Sequence, residues 1–254
     1  MTDPSAIIEI RSLNKSFPAR DGNPAVAALD NINLSQPEGE FLCIMGPSGC
    51  GKSTLLNIIA GFDVAESGSC LFRGQPVSGA APERGVVFQE YALFPWMTVR
   101  RNVVFAMQAA GKWSGRESEQ KVDEILQRMG LASFQASLPK NLSGGMRQRV
   151  AIARILAIDS PVMLMDEPFG ALDSLTRAKL QQDLVRVWSG TRKTVLFVTH
   201  SAEEAIYLAD RIVVMTARPG RIVSDFRVSL PRPRDPTSAD FNALRREVLA
   251  SIGS

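Results

Sequence analysis

Histidine occurs once in the 254-residue chain, at His200, and cysteine three times, at Cys43, Cys50 and Cys70. A single imidazole excludes a multi-histidine metal centre and leaves little room for a histidine-based catalytic triad that lacks an exposed nucleophile motif. The cysteines are scattered and never form a C-x-x-C pair, so neither a disulfide framework nor a cysteine zinc site is supported, and a reducing compartment is expected. No window approaches the ~18 uninterrupted apolar residues of a membrane span. Met1 to Ile10 has no basic region followed by an apolar stretch, so no secretory leader is read there and the chain is expected to stay in the cytosol. A charge excess is missing too: 29 basic against 26 acidic residues leave +3, which names no nucleic-acid partner without a concentrated basic face. Gly 19 and Pro 15 are too few for a low-complexity or collagen-like chain.

What remains is an ordinary globular composition, 45% hydrophobic and 22% charged, in a length that allows one large domain or a core with an inserted subdomain. Strand-like pieces come first, Ile7 to Arg11 and Ala28 to Leu34, flanking a turn-rich stretch from Pro18 to Pro24. These predict a small β layer. Short apolar runs then recur at Phe41 to Met45, Val86 to Phe88, Val162 to Met165, Val195 to Thr199 and Ile212 to Met215. Most are separated by helix-like stretches, the pattern of an α/β core around a largely parallel sheet buried on both faces. Between Tyr91 and Ala157 strands give way to helices, predicted over Thr98 to Ala110, Glu117 to Met129 and Gly144 to Ala157, so a helical subdomain is inserted there. In the last of these, Met146, Val150, Ala153 and Ala157 form an apolar stripe. A final helix is predicted from about Ser238 to Ile252.

Between the strand at Phe41 and a helix over Lys52 to Ala60 lies Gly46-Pro47-Ser48-Gly49-Cys50-Gly51-Lys52-Ser53, which satisfies G-x-x-x-x-G-K-[ST]. Glycine permits the tight curl that turns backbone N–H groups inward toward phosphate oxygens, and the following helix adds its positive end. Lys52 would reach the β and γ phosphates, and the Ser53 hydroxyl would complete the shell of a Mg²⁺ ion. A second half-site follows the strand at Val162, where Asp166 and Glu167 stand side by side. Successive strand residues project to opposite sides, which gives Asp166 to the metal and Glu167 to an attacking water as base. That second carboxylate argues for hydrolysis of the nucleotide rather than binding alone.

Leu142-Ser143-Gly144-Gly145-Met146-Arg147-Gln148-Arg149 opens the third helix of the insert, and through it the chain resembles the ATP-binding cassette (ABC) family, whose LSGGQ signature it carries as LSGGM. The resemblance runs from about Ile7 to Val228. It implies a P-loop NTPase fold, an α/β RecA-like core with a mostly parallel sheet, an N-terminal antiparallel β layer and an inserted α-helical subdomain. On this basis 1–90 and 158–230 are expected to form the ATP-binding core, 91–157 the helical subdomain with the signature, and 231–254 a helical appendage. Residue by residue, Phe17 resembles the aromatic that stacks on adenine, Gln89 the Q-loop glutamine that also reaches Mg²⁺, Asp173 the D-loop aspartate and His200 the switch histidine. The expected ATP contacts are then Phe17, Gly46 to Thr54, Ser143, Gly144, Gly145 and Asp173; the catalytic set is Lys52, Gln89, Glu167 and His200, and the metal set is Ser53, Gln89 and Asp166. Met146 stands where Gln is usual.

The family further implies a head-to-tail, ATP-dependent homodimer in which Ser143 and Gly145 of one subunit close over the ATP held by Gly46 to Thr54 of the other. With no span of its own, the chain would act at the cytoplasmic face of a membrane beneath integral permease subunits, with a periplasmic or extracellular solute-binding protein as indirect partner. Gln89 to Trp96 looks like the groove that receives a coupling helix. Glu83 to Gln89, Leu93 to Trp96 and Ala217-Arg218-Pro219-Gly220-Arg221-Ile222 resemble ATPases of nitrate, sulfonate and taurine importers. Two alternatives are weighed. A soluble ABC ATPase on nucleic acid or ribosomes conflicts with the 90 positions between Lys52 and Leu142, too few for a coiled-coil arm, and with the single motif set. A nucleotide-gated scaffold without turnover conflicts with Glu167. The series Arg218, Arg221, Arg227, Arg232 and Arg234 is expected to be a solvated basic surface, with a face toward anionic lipid or a partner as the alternative.

Overall fold

Residues 6–19 and 25–252 are described by a computed structural model; most of the turn expected over 18–24 lies outside them. The chain runs β1 (Ala6–Phe17), β2 (Val26–Pro37), β3 (Phe41–Met45), α1 (Lys52–Ala60), β4 (Ser67–Phe72) and β5 (Gln75–Pro76). It continues through β6 (Arg84–Val87), α2 (Val99–Ala109), α3 (Arg116–Arg128), α4 (Gly144–Ala157), β7 (Val162–Asp166) and α5 (Ser174–Thr191). The last elements are β8 (Thr194–Thr199), α6 (Ala202–Leu208), β9 (Arg211–Met215), β10 (Ile222–Arg227) and α7 (Ala239–Ala250). Contacts divide these into two compact units, Met1–Ala81 with Arg192–Ser254, and Pro82–Thr191. The strand pair β6 and β7 and helix α5 therefore share a unit with the helices read over 91–157.

The first unit holds an antiparallel layer ordered β2-β1-β4-β5 and the strands β10-β9-β3-β8. β3 runs parallel to β8, with Phe41 opposite Val195, and parallel to β9, with Leu42 opposite Arg211. All five side chains of β3 are buried, as a strand covered on both faces requires. β1 and β2 are longer than the alternation in the sequence suggests, because irregularities in their register at Ile10, Leu13 and Lys15 break the two-residue period.

The second unit pairs β6 with β7 in parallel, Arg84 opposite Val162 and Val87 opposite Met165. Its helices start and stop where local chemistry dictates. Thr98 caps α2 by accepting from Arg101 N at 3.2 Å, and Val99, Val103 and Met107 bury one face. α3 carries Glu117 and Glu119 in its first turn and Arg128 in its last, the charge order that complements the helix dipole. In α5, Leu180, Leu184, Val187 and Trp188 form the buried stripe.

The C-terminal segment of the first unit is tied down by two arginines that the sequence reading assigns to a solvated surface. Arg234 is buried, and its Nη1 donates to the carbonyls of Ile206 and Ala209, both at 2.6 Å, at the end of α6. Arg232 pairs with Asp210 and donates to Leu208 O. The terminal carbonyls of a helix have no intrahelical donors, which makes them a natural seat for a guanidinium. Burial, helped by Arg232, pulls Arg234 down to about 10, so it stays charged at neutrality. Arg218, Arg221 and Arg227 remain exposed as expected. Replacing Arg234 by Ala strips α6 of these donors, and denaturant unfolding is expected to show a loss of about 2–4 kcal/mol.

Candidate functional site

In the first unit the glycine-rich loop leaves β3 and enters α1 through two glycines backed closely against neighbouring backbone. A Cβ on Gly46 would lie 2.7 Å from Met215 O, and one on Gly51 would lie 2.7 Å from Ala28 O. Gly51, at φ 94°, is also the N-terminal cap of α1, in the left-handed region that side chains avoid. Leu55 N donates to Gly51 O at 2.9 Å, closing the first helical turn. Lys52 is buried, with Nζ donating to Gly46 O at 2.9 Å and Pro47 O at 3.0 Å. Ser48, Gly49 and Ser53 are exposed and Thr54 is half-buried, so the hydroxyl expected to face a metal is accessible.

The same unit carries Phe17 and His200. Phe17 ends β1 with its ring 42% exposed, and Lys15 Nζ sits 5.3 Å from the ring centroid, so a ring is offered for stacking. Lys15 is held there by Asp63 at 2.6 Å. His200 is exposed at the end of β8. Its turn is fixed by Thr199, whose hydroxyl accepts from Ser201 N at 3.0 Å and donates to the buried Glu204 at 2.6 Å. Ser201, rather than His200, caps α6, by accepting from Glu204 N.

In the second unit, β7 ends at Asp166, so Glu167 lies one residue past it, with φ 40°. Strand alternation therefore does not aim Glu167; a left-handed backbone does, and such strain in a non-glycine residue is typical of functional positions. Gln89 follows β6 and is exposed. Its Nε2 and Glu167 Oε2 lie 3.7 and 3.8 Å from the place a Cβ on Gly170 would take, so the structure brings these two side chains to one spot.

Ser143, exposed, caps α4 by accepting from Met146 N at 3.3 Å. A Cβ on Gly145 would meet Thr176 Cγ2 at 2.5 Å, and one on Gly144 would meet Leu172 and the Tyr91 hydroxyl. Asp173 is exposed and accepts from Thr176 N at 3.0 Å, a bond that holds its carboxyl below the usual range. Sequence reasoning missed this capping role for Asp173, although a β-strand, a short loop and then S-L-T signal one. Between β6 and α2, Trp96 is 71% exposed beside Phe94, their ring centroids 5.7 Å apart, and Phe94 meets Phe105 edge-on at 4.8 Å. Buried Asn102 holds this patch by bonding to both backbone groups of Phe94 and to the carbonyls of Met97 and Thr98.

Comparison with known proteins gives these features a context. A family model described as ABC transporter matches residues 29–170. An uncharacterised ABC transporter ATP-binding protein of Methanocaldococcus jannaschii is 50% identical over 95% of this chain and 90% of its own length. An aliphatic sulfonates import ATP-binding protein of Bacillus cereus is 43% identical over 95% of this chain and 94% of its own. A nitrate import ATP-binding protein of Synechococcus elongatus is 46% identical over 88% and 81%. Among solved structures, an ATP-binding cassette dimer in a post-hydrolysis state with ADP and Pi superposes with a TM-score of 0.75 at 33% identity, covering 88% of this chain and all of that one. Substituting Gly46 by Ala forces its methyl onto Met215 O, and denaturant unfolding is expected to register about 1–3 kcal/mol of lost stability.

Proposed function

Because the chain belongs to the ABC transporter family and is an ATPase that uses ATP and Mg²⁺, we propose that it energises a small-molecule importer of the nitrate, sulfonate and taurine kind from beneath separate membrane subunits. The observation that carries the enzymatic part is Glu167, a carboxylate set outside its strand at φ 40° and sharing the open side of Gly170 with Gln89. The names of the sulfonate and nitrate relatives support the importer part.

The residues fit the groups they would hold. A loop with no room for a Cβ at Gly46 or Gly51, opening a helix N-terminus, suits a polyphosphate. Among the described residues no cluster of three or more His, Cys, Asp or Glu is placed to hold a metal. That accords with Mg²⁺, which dehydrates reluctantly and is bound by a few protein oxygens together with substrate phosphates. Ser53, Gln89 and Asp166 supply such oxygens, and the ion neutralises phosphate charge when bound. Phe17 stacks on the adenine ring, Gly46 to Thr54 bind the phosphates, and Lys52 exchanges its carbonyl contacts for the β and γ oxygens. Glu167 takes a proton as the water oxygen bonds to the γ-phosphorus and the bond to the bridging β–γ oxygen breaks. His200 holds the γ-phosphate and water in line, contributing placement.

Transport coupling follows from assembly. Ser143, Gly144 and Gly145 at the exposed start of α4 close over the ATP of a second copy, head to tail, with Asp173 beside that junction. ATP then favours the closed pair and phosphate release loosens it, so nucleotide state biases a two-state equilibrium. The division read from the sequence, 1–90 with 158–230 for ATP and 91–157 for signature and coupling, is retained for these roles, with 231–254 as an appendage. Exposed Trp96 and Phe105, each packed on half-buried Phe94, form an aromatic anchor for a permease helix, since aromatics dominate such contacts. The chain itself contains no helix long and apolar enough to cross a membrane among its described residues. It would therefore sit at the cytoplasmic face through the permeases, linked only indirectly to a solute-binding protein.

Two experiments test this reading. Glu167→Gln is expected to retain ATP and accumulate dimer on size exclusion while turnover drops by about 10²–10⁴-fold, whereas Lys52→Ala loses ATP affinity first. Equal turnover in wild type and Glu167→Gln refutes the base. Trp96→Ala is expected to leave ATP hydrolysis by the isolated chain intact and to abolish co-purification with the membrane subunits.

A further inference from the structure

The turn joining β9 to β10 is pressed against the phosphate loop and held rigid on its other side. A Cβ on Gly220 would lie 2.1 Å from Cys50 O, so the two backbones touch. Gly220 N donates to Ala28 O and Asp30 N donates to Gly220 O, both at 3.0 Å, which anchors the turn to β2. Within the turn, the Thr216 hydroxyl donates to Pro219 O at 3.0 Å and accepts from Arg221 N at 3.1 Å. Arg221 itself is neutralised by Asp30.

Arg218 stands at the tip of this braced turn, and its guanidinium lies along Gly49. Nη2 is 3.3 Å and Nε 3.7 Å from the place a Cβ on Gly49 would occupy. Gly49 has φ +76°, so it is a glycine both by conformation and because the arginine fills the space beside it. Arg218 is exposed, and no carboxylate among the described residues pairs with it. A permanent positive charge with no carboxylate partner among the described residues is thus parked on the loop read above as receiving a polyphosphate.

Resting on the nucleotide reading above, we infer that Arg218 is a positioning residue for the phosphate loop, an external second cation whose field adds to that of Lys52 while its planar group braces Gly49. The two components have different signatures. A field acts in proportion to ligand charge and is screened by salt, whereas a packing effect touches every ligand alike. Arg218 therefore favours ATP over ADP and ADP over adenosine.

The test is calorimetric titration of the full chain with MgATP, MgADP and adenosine at low and at high salt, for wild type, Arg218→Gln, Arg218→Lys and Lys52→Ala, with unfolding curves to confirm folding. Arg218→Gln is expected to weaken ATP about fivefold at low salt, ADP less and adenosine not at all, with the deficit shrinking at high salt. Arg218→Lys restores most of the loss. ATP affinity unchanged in Arg218→Gln while Lys52→Ala loses it overturns the inference alone, as does an equal loss for all three ligands. Unchanged ATP affinity in both Lys52→Ala and Arg218→Gln overturns the nucleotide reading itself.

Discussion

The first unit is organised around backbone approaching backbone where no side chain fits. Gly46 lies under Met215 O, Gly51 under Ala28 O and Gly220 under Cys50 O, each closer than a Cβ could come. A loop proposed to curl around phosphate oxygens leaves little room for conventional packing, and its support is carbonyls from β2 and from the end of β9. This fixes the register of β9 on β3 along with the hydrogen bonds: a slip of one residue would remove Met215 O from Gly46. The full burial of β3 supplies the platform that keeps these approaches from relaxing.

The second unit solves a different problem, how to present polar groups at the ends of buried elements. Ser143 and Asp173 both spend an oxygen on a helix N-terminus, and Glu167 accepts left-handed backbone strain. Capping and display are compatible because a hydroxyl or carboxylate has lone pairs to spare after one backbone N–H is satisfied. The close fit of Gly145 against Thr176 then couples the start of α4 to the start of α5, so Ser143 and Asp173 are set by one piece of packing.

Much of this was legible in the chain. α1 and α4 fall on the residues read from the sequence, because Gly51 and Gly61 punctuate one and Ser143 opens the other. The parallel strands were visible as apolar runs bounded by polar residues. α5 was given no bounds although Leu180, Leu184, Val187 and Trp188 have helical spacing, because a stripe of four apolar residues in an eighteen-residue helix is a diluted signal. The aim of Glu167 was inferred from strand alternation, yet the strand stops before it; a positive φ in glutamate leaves no mark in sequence. Arg218 beside Gly49 and Arg234 on the end of α6 were equally hidden, since each contact joins residues far apart in the chain.

The arginine clasp on α6 changes what the last segment of the protein is. α6 begins at the turn that presents His200, and its far end is the one seated on Arg232 and Arg234. A rod gripped at one extremity transmits disturbance to the other. The segment that carries these two arginines is therefore part of the lever on which the histidine rides, and shortening the chain before Pro231 would leave that lever unmoored.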